Sequence, residues 1–283
     1  MAFVQSRTNS WQGALTVVDA PKAMRMGWWY VAEYRLRNLM KWIGAVIAFG
    51  IGNPVLYLAS IGFGVGALVD RNGPGMGPDG VPYLTFLAPA LLATAAIQST
   101  FEEVTFPTMH GLKWENVYYA MTATSVTPNQ VAQGVMVVAF LRGLFTTIIY
   151  WVVLGIAGAF RGTHALLAVP AAMLAGVSFA SVMLMLTLRF IDSQNFLASV
   201  GRFIITPLFM FSGTFFPLSS IPAWLQWIGW LSPLWHATDL GRFLMYGKDI
   251  PTWLVATHLG YLAVLGTICF LIAQRLITKK MTQ

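Results

Sequence analysis

Residues 212–242 read SGTFFPLSSIPAWLQWIGWLSPLWHATDLGR. The stretch is apolar enough to enter a membrane. Yet Pro217, Pro222 and Pro233, with Gly213, Gly229 and Gly241, interrupt it too often for one straight spanning helix. It falls between an apolar run that ends near Pro217 and another that starts near Thr252. In that place, an aromatic and repeatedly broken segment predicts short helices that dip into one leaflet and return. In hydrocarbon such backbone survives only when packed against protein or lining a wet cavity, which points to a pathway rather than a plain anchor.

The rest of the chain agrees with a bilayer as solvent. Its 283 residues are 57% hydrophobic and 10% charged, with mean hydropathy +0.67, whereas a soluble domain carries about 25% charge. The net charge of +7 sits near membrane ends and is not interleaved with aromatics in a solvated segment, so nucleic-acid binding is excluded. A lone cysteine, Cys269, allows no intrachain disulfide and no cysteine metal site. The first 41 residues lack the apolar core and cleavage site of a signal peptide.

Spans need about 20 mostly apolar residues. Six runs qualify: Trp42–Val69, Tyr83–Pro107, Val131–Phe160, Ala165–Leu188, Phe203–Pro217 and Trp253–Ile277. Placing both termini in the cytoplasm puts 12 Lys and Arg on the inner side against 4 outside, with Arg142 left within a span, which the positive-inside rule favours. Before the first run, Lys22–Lys41 mixes Trp28, Trp29, Tyr30 and Tyr34 with Arg25, Arg35, Arg37 and Lys41. That is the composition of a helix lying in the inner interface. The expected fold is an all-α integral membrane protein with six transmembrane helices. It has an N-terminal amphipathic interface helix at 22–41 and an outer re-entrant helical element at 212–242. Residues 1–283 form one domain. No repeat is apparent, and Asp70–Pro82, with its glycines and prolines, is a flexible outer turn.

The longest inner loop, Thr108–Gln130, is too apolar for solvated coil. Trp114, Val117, Tyr118, Met121 and Val126 suit one face of a short helix. Such a face either packs on its own bundle or meets a partner. Thr127 followed by Pro128 is a helix start, with Thr127 as N-cap.

Motifs for chemistry are scarce. No GxxxxGK[ST] loop occurs, and Gly247-Lys248 lacks the upstream glycine spacing. Gly62 and Gly66 suit close packing of spans better than a dinucleotide loop. His110, His164, His236 and His258 make no HExxH, and no GxSxG turn appears. His258 reads as a packed or interfacial residue. Glu102 and Glu103 lie near the inner end of the second run. At membrane depth they are functional candidates, here inner-gate acids, or else they sit at the interface or pair with Arg142 or Arg189. Asp239 and Arg242, three apart, are expected to pair on a helix and hold the outer element together.

These residues carry a family resemblance. GTFFP, IPAWLQ and PLWHATDL with the final Arg242 closely resemble the C-terminal region of ABC-2 type exporter permeases. Asn53-Pro54-Val55-Leu56-Tyr57-Leu58, Ser99-Thr100-Phe101-Glu102 and Trp114-Glu115 resemble the nodulation protein J branch, the permeases of lipooligosaccharide exporters. The resemblance implies a homodimer docked on two copies of a separate nucleotide-binding protein, which would bind ATP and Mg; this chain would hold no cofactor and catalyse nothing. It implies a coupling region at 108–130 with His110, Lys113, Trp114, Glu115 and Tyr118. It also implies a re-entrant element containing Pro217, Pro222, Pro233, His236, Asp239 and Arg242. The implied place is the inner membrane, among its lipids, and the implied cargo is a glycan-linked or lipid-linked amphiphile moved outward. A drug or antibiotic exporter of the same superfamily is the alternative. From another class, a membrane-embedded lipid or glycan transferase would need acids or histidines converging on one face.

Overall fold

A computed structural model describes residues 20–69, 78–193, 195 and 199–282, and every regular element among them is helical. Two helices lead in, α1 (Ala20–Arg25) and α2 (Gly27–Met40). Then come α3 (Ile43–Ser60), α4 (Tyr83–Val104), the short α5 (Val117–Thr122), α6 (Pro128–Ile156) and α7 (Ala168–Arg189). The last third carries α8 (Gly201–Phe211), α9 (Ala223–Trp230), α10 (Pro233–Tyr246) and α11 (Thr252–Met281). The residues before Ala20, the Asp70–Gly77 part of the expected outer turn, and the packing of Gly62 lie outside the described residues.

Five helices, α3, α4, α6, α7 and α11 with their continuations, are long and apolar enough to cross a membrane. The chain is therefore a multi-pass membrane protein. The expected run at Phe203–Pro217 is met by α8, which at 1.5 Å per residue is about 17 Å long against a hydrocarbon core of about 30 Å. The helix stops at Phe211, where Ser212 turns out of helical geometry and Gly213 takes a positive φ of 70°.

The second run also departs from expectation. Its helix breaks at Thr105 (φ −93°, ψ −83°) and then continues through Phe106–Met109 and a π-helical turn at His110–Trp114. Pro107 has no N–H for an unbroken ladder, so the break precedes it by one turn or less. His110, Lys113 and Trp114, expected in a separate inner loop, therefore ride on the extension of α4.

Small residues bring the spans together. Helix α7 packs between α4 and α11, and α4 also packs on α6. A Cβ on Gly176 of α7 would stand 3.0 Å from the Ala96 carbonyl of α4. Thr100 of α4 uses that approach to donate a hydrogen bond to the Gly176 carbonyl at 2.9 Å. Helix α2 lies on α6 through Gly27, Val31, Ala32 and Arg35, leaving Trp29 and Tyr30 exposed. Helix α3, by contrast, buries only Gly50 and Pro54.

The start of α6 follows its sequence. Thr127 Oγ1 accepts from the Gln130 N–H at 3.4 Å, and Gln130 Oε1 accepts from the Thr127 N–H at 2.9 Å, a reciprocal capping box. Gln130 Nε2 also donates to the Met24 carbonyl at 2.6 Å, tying α1 to α6.

Candidate functional site

Helix α4 carries a polar cluster at each end. Glu103 belongs to one and Phe86 to the other, about 25 Å apart along the helix.

At the Glu103 end, four elements meet. Arg35 of α2, only 4% exposed, places Nη2 2.6 Å from Glu103 Oε1 and Nη1 3.1 Å from the Tyr118 hydroxyl of α5. The same nitrogens donate to the Glu103 carbonyl at 2.5 Å and to Thr108 Oγ1 at 3.2 Å. Arg142 of α6 donates from Nη1 to Glu103 Oε2 at 3.1 Å and from Nη2 to Glu102 Oε2 at 2.7 Å. One buried carboxylate thus faces two guanidiniums, which is how a charge is kept inside a bundle. Burial raises the Tyr118 hydroxyl above its ordinary range, so it stays neutral and accepts from Arg35. The pairing of Glu102 and Glu103 with Arg142 agrees with one of the two sequence readings. Arg35 as the buried partner was missed. The signal was its register: Val31 and Arg35, four apart, share the face of α2 that packs on α6.

The expected coupling residues do not share one surface. Trp114 is 53% exposed and packs against Phe106 and His110. His110 Nδ1 lies 3.4 Å from Glu115 Oε2, both exposed, and Lys113 reaches the Asp192 carbonyl at 3.4 Å. Tyr118, whose face the sequence leaves open between packing on its own bundle and meeting a partner, is 2% exposed beneath Arg35. A short helix does form at Val117–Thr122, and of its two tyrosines Tyr118 turns inward, where it supplies an acceptor to the buried Arg35 guanidinium.

At the Phe86 end, the broken segment folds as short pieces that its prolines open. Pro217 precedes a single 3₁₀ turn at Leu218–Ser220, Pro222 precedes α9, and Pro233 is the first residue of α10. Ser232 caps α10 by accepting from the Leu234 N–H at 3.2 Å. Helix α10 packs on α4 and α7. The expected Asp239–Arg242 pair does not form. Arg242, 1% exposed, donates to the Gly213 carbonyl at 2.7 Å and lies 3.9 Å above the Phe86 ring. Asp239 is taken by Lys248, whose Nζ reaches Oδ1 at 2.6 Å after Gly247 reverses the chain with φ +75°. Arg242 faces α4 and the Gly213 turn, so it cannot also serve Asp239.

A histidine pair completes this cluster. His236 Nε2 lies 2.9 Å from the Trp230 carbonyl, and a carbonyl only accepts, so Nε2 carries a proton. Burial holds His236 down at about 4, so the ring is neutral and its Nδ1 accepts. His258 Nδ1, 2.8 Å away, is therefore the donor, and His258 Nε2 sits 3.4 Å from Asp239 Oδ2. Burial acts to raise the Asp239 carboxyl, but the neighbouring His258 and the hydrogen-bonded Lys248 outweigh it and hold the group at about 2. His258 is fully buried, as a packed residue should be, but its partners were not visible from spacing. No group of three or more His, Cys, Asp or Glu among the described residues is arranged to hold a metal ion.

Comparison with known proteins takes in the Glu103 cluster and most of the Phe86 one. Residues 34–246 match the ABC-2 type transporter family, a span that runs from α2 to the end of α10. Nodulation protein J of Sinorhizobium fredii (strain NBRC 101917 / NGR234) is 31% identical over 90% of this chain and 94% of its own length. Nodulation protein J of Rhizobium leguminosarum bv. viciae is 29% identical over 89% of this chain and 95% of its own. That of Rhizobium meliloti (strain 1021) is 28% identical over 90% and 95%.

Proposed function

We propose, from the premise that this chain belongs to the ABC-2 type transporter family, that it is the permease half of an ATP-driven exporter. Members of that family are transport subunits, and the energy would come from two copies of a separate nucleotide-binding protein carrying ATP and Mg. Two copies of this chain would form a path for a glycan-linked or lipid-linked amphiphile in the inner membrane, with both termini cytoplasmic. The glycan assignment leans on likeness to the nodulation protein J relatives.

The observation that carries the reading is the Arg35–Glu103–Arg142–Tyr118 network. It joins α2, α4, α5 and α6 at the end of the bundle nearest Trp114, Lys113 and Glu115. A push on the exposed Trp114 turn reaches α4 directly, because that turn continues the helix, and reaches α2 and α6 through Glu103. That is what an ATPase docked there would need. The test is to seek a P-loop ATPase in a reading frame adjacent to this chain's and to reconstitute the two together in vesicles. Stable complex formation and vanadate-sensitive hydrolysis stimulated by the permease are expected. Native mass giving one permease per two ATPases would remove the dimer, and no complex at all would remove the reading.

A further inference from the structure

Between α3, α4 and α6, with Phe209 of α8 at one side, lies a cavity of about 570 Å³. Its lining is mostly apolar, but Asn53, Tyr57, Thr146 and Tyr150 all border it. Among the described residues, none supplies a hydrogen-bond partner to these four side chains. Within a spanning bundle an unpartnered polar group is costly where it is buried, and the buried Tyr150, the half-buried Tyr57 and Thr146 and the exposed Asn53 converging on one space make it a place for a polar occupant. An acyl tail would leave all four unpaired.

The remaining lining narrows the occupant. Phe49, Tyr57, Tyr150 and Phe209 bring four aromatic rings to the same space. The charged groups on it, Glu102 and Arg142, pair with each other at 2.7 Å and Arg142 also meets Glu103, so the cavity carries no net positive charge for a phosphate or a carboxylate, although the buried Arg142 Nε is one further donor without a partner. An occupant with apolar faces, hydroxyl edges and no charge is a sugar ring. The volume falls within the roughly 300–1,000 Å³ of small-molecule pockets. We infer that this cavity binds an uncharged saccharide, with Asn53, Tyr57, Thr146 and Tyr150 bonding its hydroxyls and the aromatic rings packing on its faces. The inference rests on the reading of this chain as a path for a glycan-bearing amphiphile, and it assigns the glycan a seat within a single subunit.

The test uses the chain alone, without an ATPase, in amphipol. Dodecyl maltoside and dodecylphosphocholine share a tail length and differ in headgroup, so their retention by native mass spectrometry isolates the headgroup. Wild type is expected to retain the maltoside over the phosphocholine by at least about fivefold, the worth of one hydrogen bond. The double variant Tyr57→Phe/Tyr150→Phe keeps both rings and loses only the hydroxyls, and should bring the ratio close to one. Tyr30→Phe, on the exposed face of α2, should leave it unchanged. Equal retention in wild type, or an unchanged ratio in the double variant, overturns the saccharide site and leaves a cavity for water or tails. Export with equal retention of both detergents defeats the cavity inference alone. Selective maltoside retention without any ATP-driven export defeats the exporter reading alone.

Discussion

The two ends of α4 solve the same problem differently. At the Glu103 end a buried carboxylate is neutralised by two arginines from two other helices, and one of them, Arg142, remains 17% exposed in its side chain. At the Phe86 end Arg242 faces an aromatic ring and a backbone carbonyl, while Asp239 is served by a lysine nearby in sequence. The first arrangement binds helices distant in sequence through charge, so moving one of them changes the others. The second closes mainly on the segment between α8 and α11 and fastens it to α4. A lever and a clasp are the mechanical equivalents. The difference lies in what each buried charge meets: charges on helices distant in sequence at the Glu103 end, and a ring, a backbone carbonyl and a lysine nearby in sequence at the Phe86 end.

The contrast breaks first at Arg35. Arg35→Ala leaves Glu103 with Arg142 alone and an emptied buried site; a loss of about 3–5 kcal/mol is expected, read as a large fall in Tm of the detergent-solubilised protein. Arg242→Met keeps the apolar stem but gives up the carbonyl bond and the ring contact. It should cost about 2–3 kcal/mol, seen with increased proteolysis near Gly213 rather than loss of α2. Tyr118→Phe removes one bond to a charged group and should cost about 1.5 kcal/mol. Trp114→Glu should change Tm least, within about 0.5 kcal/mol, because the ring is half exposed. Yet it is the one expected to uncouple ATP hydrolysis from export in vesicles. Full export by that variant would remove Trp114 from the proposed docking surface.

Acid sharpens the comparison. His236 is held down at about 4, so between pH 4 and about 6.5 the unfolded chain binds the proton that the folded chain refuses. Its contribution is therefore complete above about 6.5 and falls as pH drops towards 4. Asp239, held at about 2, adds stability above about 4 that is lost as pH falls further. Acid should loosen the Phe86 end first, and protection of α10 amides from hydrogen exchange should fall over that range. A His236→Asn variant that shows the same acid profile would clear the histidine of this role.

Most of the architecture was legible because hydrocarbon allows few solutions. Runs of apolar residues mark α3, α4, α6, α7 and α11, with starts within about three residues, although the helical path of α4 continues to Trp114 beyond the expected close at Pro107. The Thr127–Pro128 start needed only local capping rules. The shortness of α8 was less visible, since Ser212 and Gly213 are themselves compatible with a longer apolar run. The partners of charged groups were hardest. Helical spacing put Asp239 and Arg242 on one face, but which of them met Lys248, His258, Phe86 or Gly213 depended on how α4, α10 and α11 packed. In sequence Arg35 reads as a cation near the membrane surface, because its carboxylate partner lies 68 residues away.

Helix α2 is fastened to α6 at two points: Gln130 holds the Met24 carbonyl just before it, and Gly134 admits Val31 so closely that a Cβ there would stand 2.6 Å from the valine's own. A beam pinned twice cannot swing on its own. Whatever surface the exposed Trp29 and Tyr30 rest against, its sideways pressure arrives at α6 as a torque. The N-terminal helix is then an outrigger, and the tension of its surroundings is an input to the bundle.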